Sequence, residues 1–401
     1  MSDLDYVYGW NRHTMKFMGI WPEDRKWNEV SSYKALVPIS MMLYFVCIPQ
    51  TMNLIFIWGD FDLVVENLSM GNMTITISLL KTVAFWFHGK CKYSMPRIIK
   101  ILMNIASKSV WNTMLNIAKS IRSISIKSTL MSQSVVITYA MLRYLAMGQD
   151  DNHLLFRAHF PYSTKNSPNY EFTLIGQFLA AMYAATTYTA VDTFVGMLVL
   201  HVCGQLANLR RELKELRAKT KIEFQIKLGN IVRKHEYLSR FAETIEACFN
   251  VMLLAQMLGC TVQLCFQCFQ ALMSFNGGAN ELLIFQFMFL LLYVIYVMLQ
   301  LYLYCYVGEK LLVESTMMAY AAYDCEWYNL SANEAKLLII IMCRAKSPLR
   351  ITAGRFCSFN LELYSEVSNF HTKHLIIALF TFQKQSKNNI KIVRKELFKF
   401  E

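Results

Sequence analysis

Glu362, Glu366, Asn369 and Lys373 recur at intervals of four, three and four, a spacing that sets all four on one face of a helix. The same line continues to Ile377 and then Phe380. One face therefore passes from acidic through polar to apolar. Its chemistry is that of an ion path: carboxylates at a mouth favour cations, and apolar constrictions gate by dewetting. A single helix encloses nothing, so this reading requires several chains around an axis. The competing reading keeps 356–374 in water as a packed helix, with 375–382 alone entering a membrane.

Two further spacings suggest metal ligands. Cys265 and Cys268 lack a second pair, and His371-x-x-His374 lacks a third ligand, so neither completes a zinc set. The 11 cysteines mostly lie in apolar runs (Cys47, Cys203, Cys260, Cys305), where cysteine behaves as a small hydrophobe. No cofactor is expected. The chain carries no His-Glu-x-x-His, no phosphate-binding glycine loop and no Gly-x-Ser-x-Gly, so an enzyme is not expected.

The elements that position the polar stripe follow from composition. Of 401 residues, 55% are hydrophobic and only 17% charged, against about 25% charged in a typical soluble domain. Apolar runs near twenty residues long predict an all-α membrane protein with seven crossings. The expected spans are 35–58, 68–89, 128–147, 172–203, 247–273, 282–306 and 356–383. Pro38 and Pro49 are expected to bend the first. Residues 337–343 are apolar but too short to cross. Residues 1–34 carry Asp3, Asp5, Arg12 and Lys16 with no apolar core, so no cleavable signal is expected.

Basic residues set the orientation. Segment 90–127 holds Lys90, Lys92, Arg97, Lys100, Lys108, Lys119, Arg122 and Lys127 with no acid, and 204–246 holds ten basic residues. The alternate loop 59–67 has Asp60, Asp62 and Glu66 and no base. The basic loops and the N-terminus are therefore expected in the cytoplasm and the C-terminus outside. The net charge of +12 suits loops beside anionic membrane lipids and does not call for nucleic acid. Sequons at Asn67 and Asn72 fall on the expected outer side, and one at Asn329 falls inside. This orientation reverses that of a G-protein-coupled receptor. Asp-Arg-Tyr and Asn-Pro-x-x-Tyr are also missing from the third and last spans.

Leu206, Leu209, Leu213 and Leu216 recur at spacings of three, four and three among Arg210, Arg211, Glu212 and Lys214. This is an amphipathic helix. It either lies on anionic lipid or continues a spanning helix into the cytosol and packs into a subunit interface.

The chain from the sixth span onward carries a specific likeness. It reads Tyr302-Leu-Tyr304-Cys-Tyr306-Val-Gly308-Glu309, then Ala321-Ala-Tyr323-Asp-Cys325-Glu-Trp327-Tyr328. Later come Pro348-Leu-Arg350-Ile-Thr-Ala-Gly354-Arg355-Phe356 and Leu361-Glu-Leu363-Tyr364-Ser. This resembles the insect odorant receptor family, with a hymenopteran character. Length and the short segment between spans four and five resemble a ligand-tuning subunit rather than the longer co-receptor. The resemblance implies an odorant-gated, non-selective cation channel in the plasma membrane of olfactory neurons. It implies a heterotetramer with the co-receptor, a pore lined by the last helix, and a gate near Ile377. It also implies 35–306 as a six-helix bundle holding an odorant pocket, 307–355 as a cytoplasmic anchor and 356–383 as the pore helix. The match ends at Val367, and a basic tail, 384–401, departs from the family's pattern. A gustatory-type channel shares the fold but carries a Thr-Tyr-apolar-Gln-Phe motif in its last helix, which is missing here.

The implied pocket sits in the outer half of spans two to six and would take a small volatile organic ligand. Helical spacing offers Thr74, Ile75 and Ser78 from the second span, and Thr138, Met141 and Leu142 from the third. The fourth offers Gln177, Met182 and Tyr183, the fifth Leu264 and Gln267, and the sixth Phe285 and Phe289. Apolar walls with a few polar groups suit such a ligand.

Overall fold

A computed structural model describes residues 3–21, 33–87, 108–146, 154–216, 220–274, 281–325, 331–370 and 373. Backbone amides in lipid must pair within their own segment, and the chain answers with long helices. They are α1 (Asp3–Phe17), α2 (Leu36–Phe56), α3 (61–87), α4 (Lys108–Ala146), α5 (Asn169–Lys214), α6 (Lys221–Ser274), α7 (Glu281–Tyr323), α8 (Ala332–Ala345) and α9 (361–370). A short hairpin of β1 (Thr352–Ala353) and β2 (Cys357–Ser358) precedes α9.

α2, α5, α6 and α7 each contain a window long and apolar enough to cross a bilayer, and Met73–Trp86 is a shorter apolar stretch. α4 is more polar because it spends polar side chains on its neighbour. Ser132 Oγ and Gln133 Nε2 donate to the carbonyls of Ala185 and Met182 on α5, at 3.5 and 3.2 Å.

Pro38 falls in the first turn of α2, where a missing N–H costs no helical bond. Pro49 follows a π-helical turn at Leu43–Cys47, as expected where proline removes one rung of the ladder. A second π turn spans Leu68–Asn72. It contains Gly71, where a Cβ would stand 2.6 Å from Gln50 Oε1.

α5 is the central rod. Thr187 to Gly204 is buried without interruption, enclosed by α3, α4, α6 and α7. The large core runs from Ala190 through Leu213 and takes in Leu238, Phe249, Leu301, Tyr304 and Ile341. α4, α5, α6 and α7 all extend well past the apolar spans. The Leu206–Leu213 seam is buried within the chain in a continuing helix, so it neither lies on lipid nor stands open to another subunit. Residues 337–343 form part of α8, which packs on α6 and α7.

The first 34 residues contain an element that composition does not announce. α1 buries Met15 and packs on α4 and α5. Asn11 Oδ1 accepts from Ser125 and, at 3.0 Å, from Thr193. The two outer sequons are also engaged. Asn67 Nδ2 donates to the Arg157 carbonyl at 3.2 Å and Asn72 Nδ2 to Thr51 Oγ1 at 3.4 Å. Neither amide is presented for a glycan.

Candidate functional site: a cavity over a buried ion pair

A cavity of about 70 Å³ lies where α3, α4, α5, α7 and the segment after α4 converge. This is several times the roughly 10–15 Å³ that one water needs. Thr74 and Ile75 come from α3, Ser132, Val135, Val136 and Tyr139 from α4, and Phe156 from the segment before α5. α5 contributes Ala181, Ala184, Ala185 and Tyr188, and α7 contributes Phe289, Tyr293 and Tyr296. Three alanines in a row of turns open the space, and aromatic rings line the rest. Tyr139 stacks on Phe156 at 5.6 Å and lies 5.6 Å from Phe289.

The polar groups at the wall are hydroxyls. Thr74 Oγ1 lies 3.4 Å from Tyr293 Oη, and Gln263 Nε2 on α6 donates to Thr74 at 3.0 Å. Above the cavity, Glu66 meets Arg143 at 3.1 Å and Arg157 at 3.4 Å, tying α3, α4 and the connecting segment together.

Of the residues expected in the pocket, Thr74, Ile75 and Phe289 line this cavity. Gln177 does not; it clamps Phe156, donating to its carbonyl at 3.1 Å and accepting from its N–H at 3.0 Å. It therefore holds a wall residue in place. Ser78 donates to the Ala184 carbonyl at 2.8 Å, again supporting the wall from behind. Leu264 is buried in the cluster with Tyr293 and Tyr296, and Leu142 packs against it. Gln267 is buried. Thr138 and Met182 are half-buried, and Met141 faces outward. Tyr183 stacks on Phe17 of α1 at 6.4 Å, away from the wall. The Phe285 side chain lies outside the described residues.

Beneath the cavity is a feature that the sequence reading passed over. Lys81 Nζ of α3 lies 2.5 Å from Asp192 Oδ1 of α5, with both side chains essentially inaccessible. Tyr304 of α7 donates to the same oxygen at 2.5 Å. The Lys81 ammonium also lies 3.6 Å from the centre of the Tyr188 ring, a cation–π contact. Gln256 of α6 donates to Tyr188 Oη. Asp192 Oδ2 has no hydrogen-bond partner. A lone charge at a span's centre costs roughly 2.5–3.5 kcal/mol on insertion scales; pairing four helices' polar groups at one point offsets that cost.

The stripe on the last helix lies apart. Asn360 Oδ1 caps α9 by accepting from Leu363 N at 2.8 Å. Glu362, Glu366, Asn369 and Lys373 are all exposed on the single chain. Ile377 and Phe380 lie outside the described residues, as do His371, His374 and the tail. The described residues contain no group of three His, Cys, Asp or Glu side chains placed to hold a metal.

The sequence profile described as 7tm Odorant receptor matches residues 60–371. The chain belongs to that family. Odorant receptor 13a of Drosophila melanogaster is 26% identical over 230 residues, 53% of this chain and 54% of that one. Odorant receptor 67c of the same fly is 24% identical over 236 residues, 57% and 56% of the two chains. The odorant receptor coreceptor of Harpegnathos saltator is 28% identical over 143 residues, 34% of this chain and 27% of its own length. The chain thus spans about half the length, or less, of the curated relatives it matches. The olfactory receptor OR5 from Machilis hrabei, solved in complex with eugenol, superposes with a TM-score of 0.75 at 16% identity, covering 94% of this chain and 100% of that one. Without eugenol the TM-score is 0.77 at 17% identity. The odorant receptor fold, a seven-helix membrane bundle, is therefore shared along nearly the whole chain.

Within this odorant receptor bundle, sequence reasoning missed most of the wall, Tyr139, Phe156, Tyr188, Tyr293 and Tyr296 among it. The signal was present: Tyr293 and Tyr296 stand three apart, and four and seven residues beyond Phe289, on one face of α7. A choice made by depth in the membrane stopped at Phe289.

Proposed function

We propose that the chain is an odorant-tuning subunit of a ligand-gated, non-selective cation channel in the plasma membrane of olfactory neurons. It would act in a heterotetramer with a co-receptor. The observation that carries this reading is the cavity itself. Aromatic and alanine walls with the Thr74 and Tyr293 hydroxyls suit a small, neutral, largely apolar volatile with one polar group. The likeness to co-receptors over 34% of the chain and to a receptor solved with eugenol supports partner and ligand class. Residues 307–355 would form a cytoplasmic anchor. The stripe from Glu362 to Lys373 would line a cation path, with Ile377 and Phe380 as its constriction. The basic loops support an N-terminus in the cytoplasm.

Voltage clamp of cells expressing the chain with a co-receptor tests the reading. The panel is eugenol, other phenyl ethers, monoterpene alcohols and short ketones. At least one should evoke a cation current without G-protein activity. Ala184→Phe, which fills the cavity, should raise the half-maximal concentration at least about tenfold, as expected when a pocket's volume is altered by more than a methylene. No current from the wild-type chain across the panel, or an unchanged response in Ala184→Phe, would sink the proposal.

A further inference from the structure

Replacing a buried ion pair with packed apolar side chains is often neutral or stabilising. Stability alone therefore gives no reason for Lys81 and Asp192 to stand inside the bundle, and ionisable groups there are by default functional. Their surroundings supply a reason. The Lys81 ammonium rests on the Tyr188 ring at 3.6 Å, and Tyr188 is a wall of the cavity. Asp192, one turn further along α5, joins Lys81 to Tyr304, each at 2.5 Å. The Tyr304 ring lies 5.6 Å from the ring of Phe359, which immediately precedes the Asn360 cap of α9.

The same stretch of α7 fastens the start of α9 in three other ways. Glu309 Oε2 accepts from Leu361 N at 3.4 Å. Tyr302 meets Tyr364 edge-on at 5.3 Å. Gly308 lets the Phe359 carbonyl approach so closely that a Cβ at 308 would collide with it. A shift of Tyr304 is thereby a shift of the base of α9.

The carboxylate has two discrete ways to serve its partners. Both donors now share Oδ1, while Oδ2 is buried with no donor. Moving one donor to Oδ2 gives a second satisfied arrangement. Coupling between sites requires an element of this kind, with two states that both sites bias.

We infer that Lys81, Asp192 and Tyr304 are the positioning element through which occupancy of the cavity sets the placement of α9. A ligand against Tyr188 displaces the ammonium on that ring toward Oδ2. Oδ1 then holds Tyr304 alone, and Phe359 follows. This rests on the cavity being the ligand site, as proposed above.

The test uses the full chain with its co-receptor and the same volatile panel. Binding is read as the concentration giving half-maximal thermal stabilisation, and coupling as the maximal evoked current. Tyr304→Phe keeps the ring on Phe359 and removes the hydroxyl. The double variant Lys81→Met with Asp192→Leu removes the pair without stranding a charge. Both should leave half-maximal binding within about twofold, while evoked current falls about fivefold or more, the low end of measured couplings. Wild-type current in either variant, at matched surface amount, overturns the inference. So does a parallel loss of binding and current in Tyr304→Phe, which would mark a structural role. If the wild-type chain shows neither binding nor current, the cavity reading itself has failed and takes the inference with it. Intact wild-type behaviour with unaffected variants sinks the inference alone.

Discussion

Two sets of charged side chains sit in the helices of this bundle, and they are treated in opposite ways. Lys81 and Asp192 are 1% and 0% exposed, and the chain supplies every partner they have. Glu362, Glu366 and Lys373 are exposed on the single chain. The first set is closed: four helices meet around it, and it asks for nothing from outside. The second is open, and burying its carboxylates in hydrocarbon would cost far more than solvating them. It therefore needs water or other chains beside it. The difference separates a site that one chain completes alone from one that it completes only in company.

The closed set should be the easier to break. Asp192→Leu alone strands the Lys81 ammonium with only an aromatic face. This should cost about 3–5 kcal/mol, seen as loss of surface protein and of monodisperse material after solubilisation. A well-behaved single variant would show that the charge is not held inside. Gly308→Val, at the close approach to the Phe359 carbonyl, should cost about 1–3 kcal/mol by overpacking, read as a lowered thermal midpoint.

A smaller effect should come from His235, in the part of α6 before the apolar stretch 247–273. It is 4% exposed. Burial holds its pKa below the usual 6.5, with Glu236 opposing and Arg344 adding to the shift. The folded chain then binds this proton less readily than the unfolded chain. Its contribution to stability is full above about pH 6.5 and is lost as pH falls through the lower folded value. The thermal midpoint should drop on acidification, and His235→Phe should drop less. An equal drop in both would assign the acid sensitivity elsewhere. The smallest effect on stability belongs to the open set. Glu362→Gln with Glu366→Gln should leave stability within about 0.5 kcal/mol of wild type. Cation current should nevertheless fall, measured by voltage clamp. A clear destabilisation would mean that the single chain already pairs these carboxylates.

The apolar helices were legible because lipid demands long apolar runs, and periodicity put Glu362, Glu366 and Asn369 on one helix because they stand within a few turns of each other. The closed set was not legible. Lys81 and Asp192 are 111 residues apart, each alone in an apolar run, and no local pattern links them. Gln177 and Ser78 were expected to line the pocket but bond to the backbone of wall residues instead; polarity alone does not separate a residue that meets a ligand from one that clamps a wall. α1 was missed because its buried side, with Asn11 and Met15, mixes polar and apolar groups that only α4 and α5 make sense of.

Ala181, Ala184 and Ala185 lie on the same rod as Asp192, two to three turns away. Their small size is where space is lent to a guest. Substituting at these positions, or at Val135 and Val136 opposite, would reshape the chamber without touching the charged joint below. If the cavity is the ligand site proposed above, a lineage would change which scent it answers to by trading methyl groups, while the joint proposed to report the answer stays as it was.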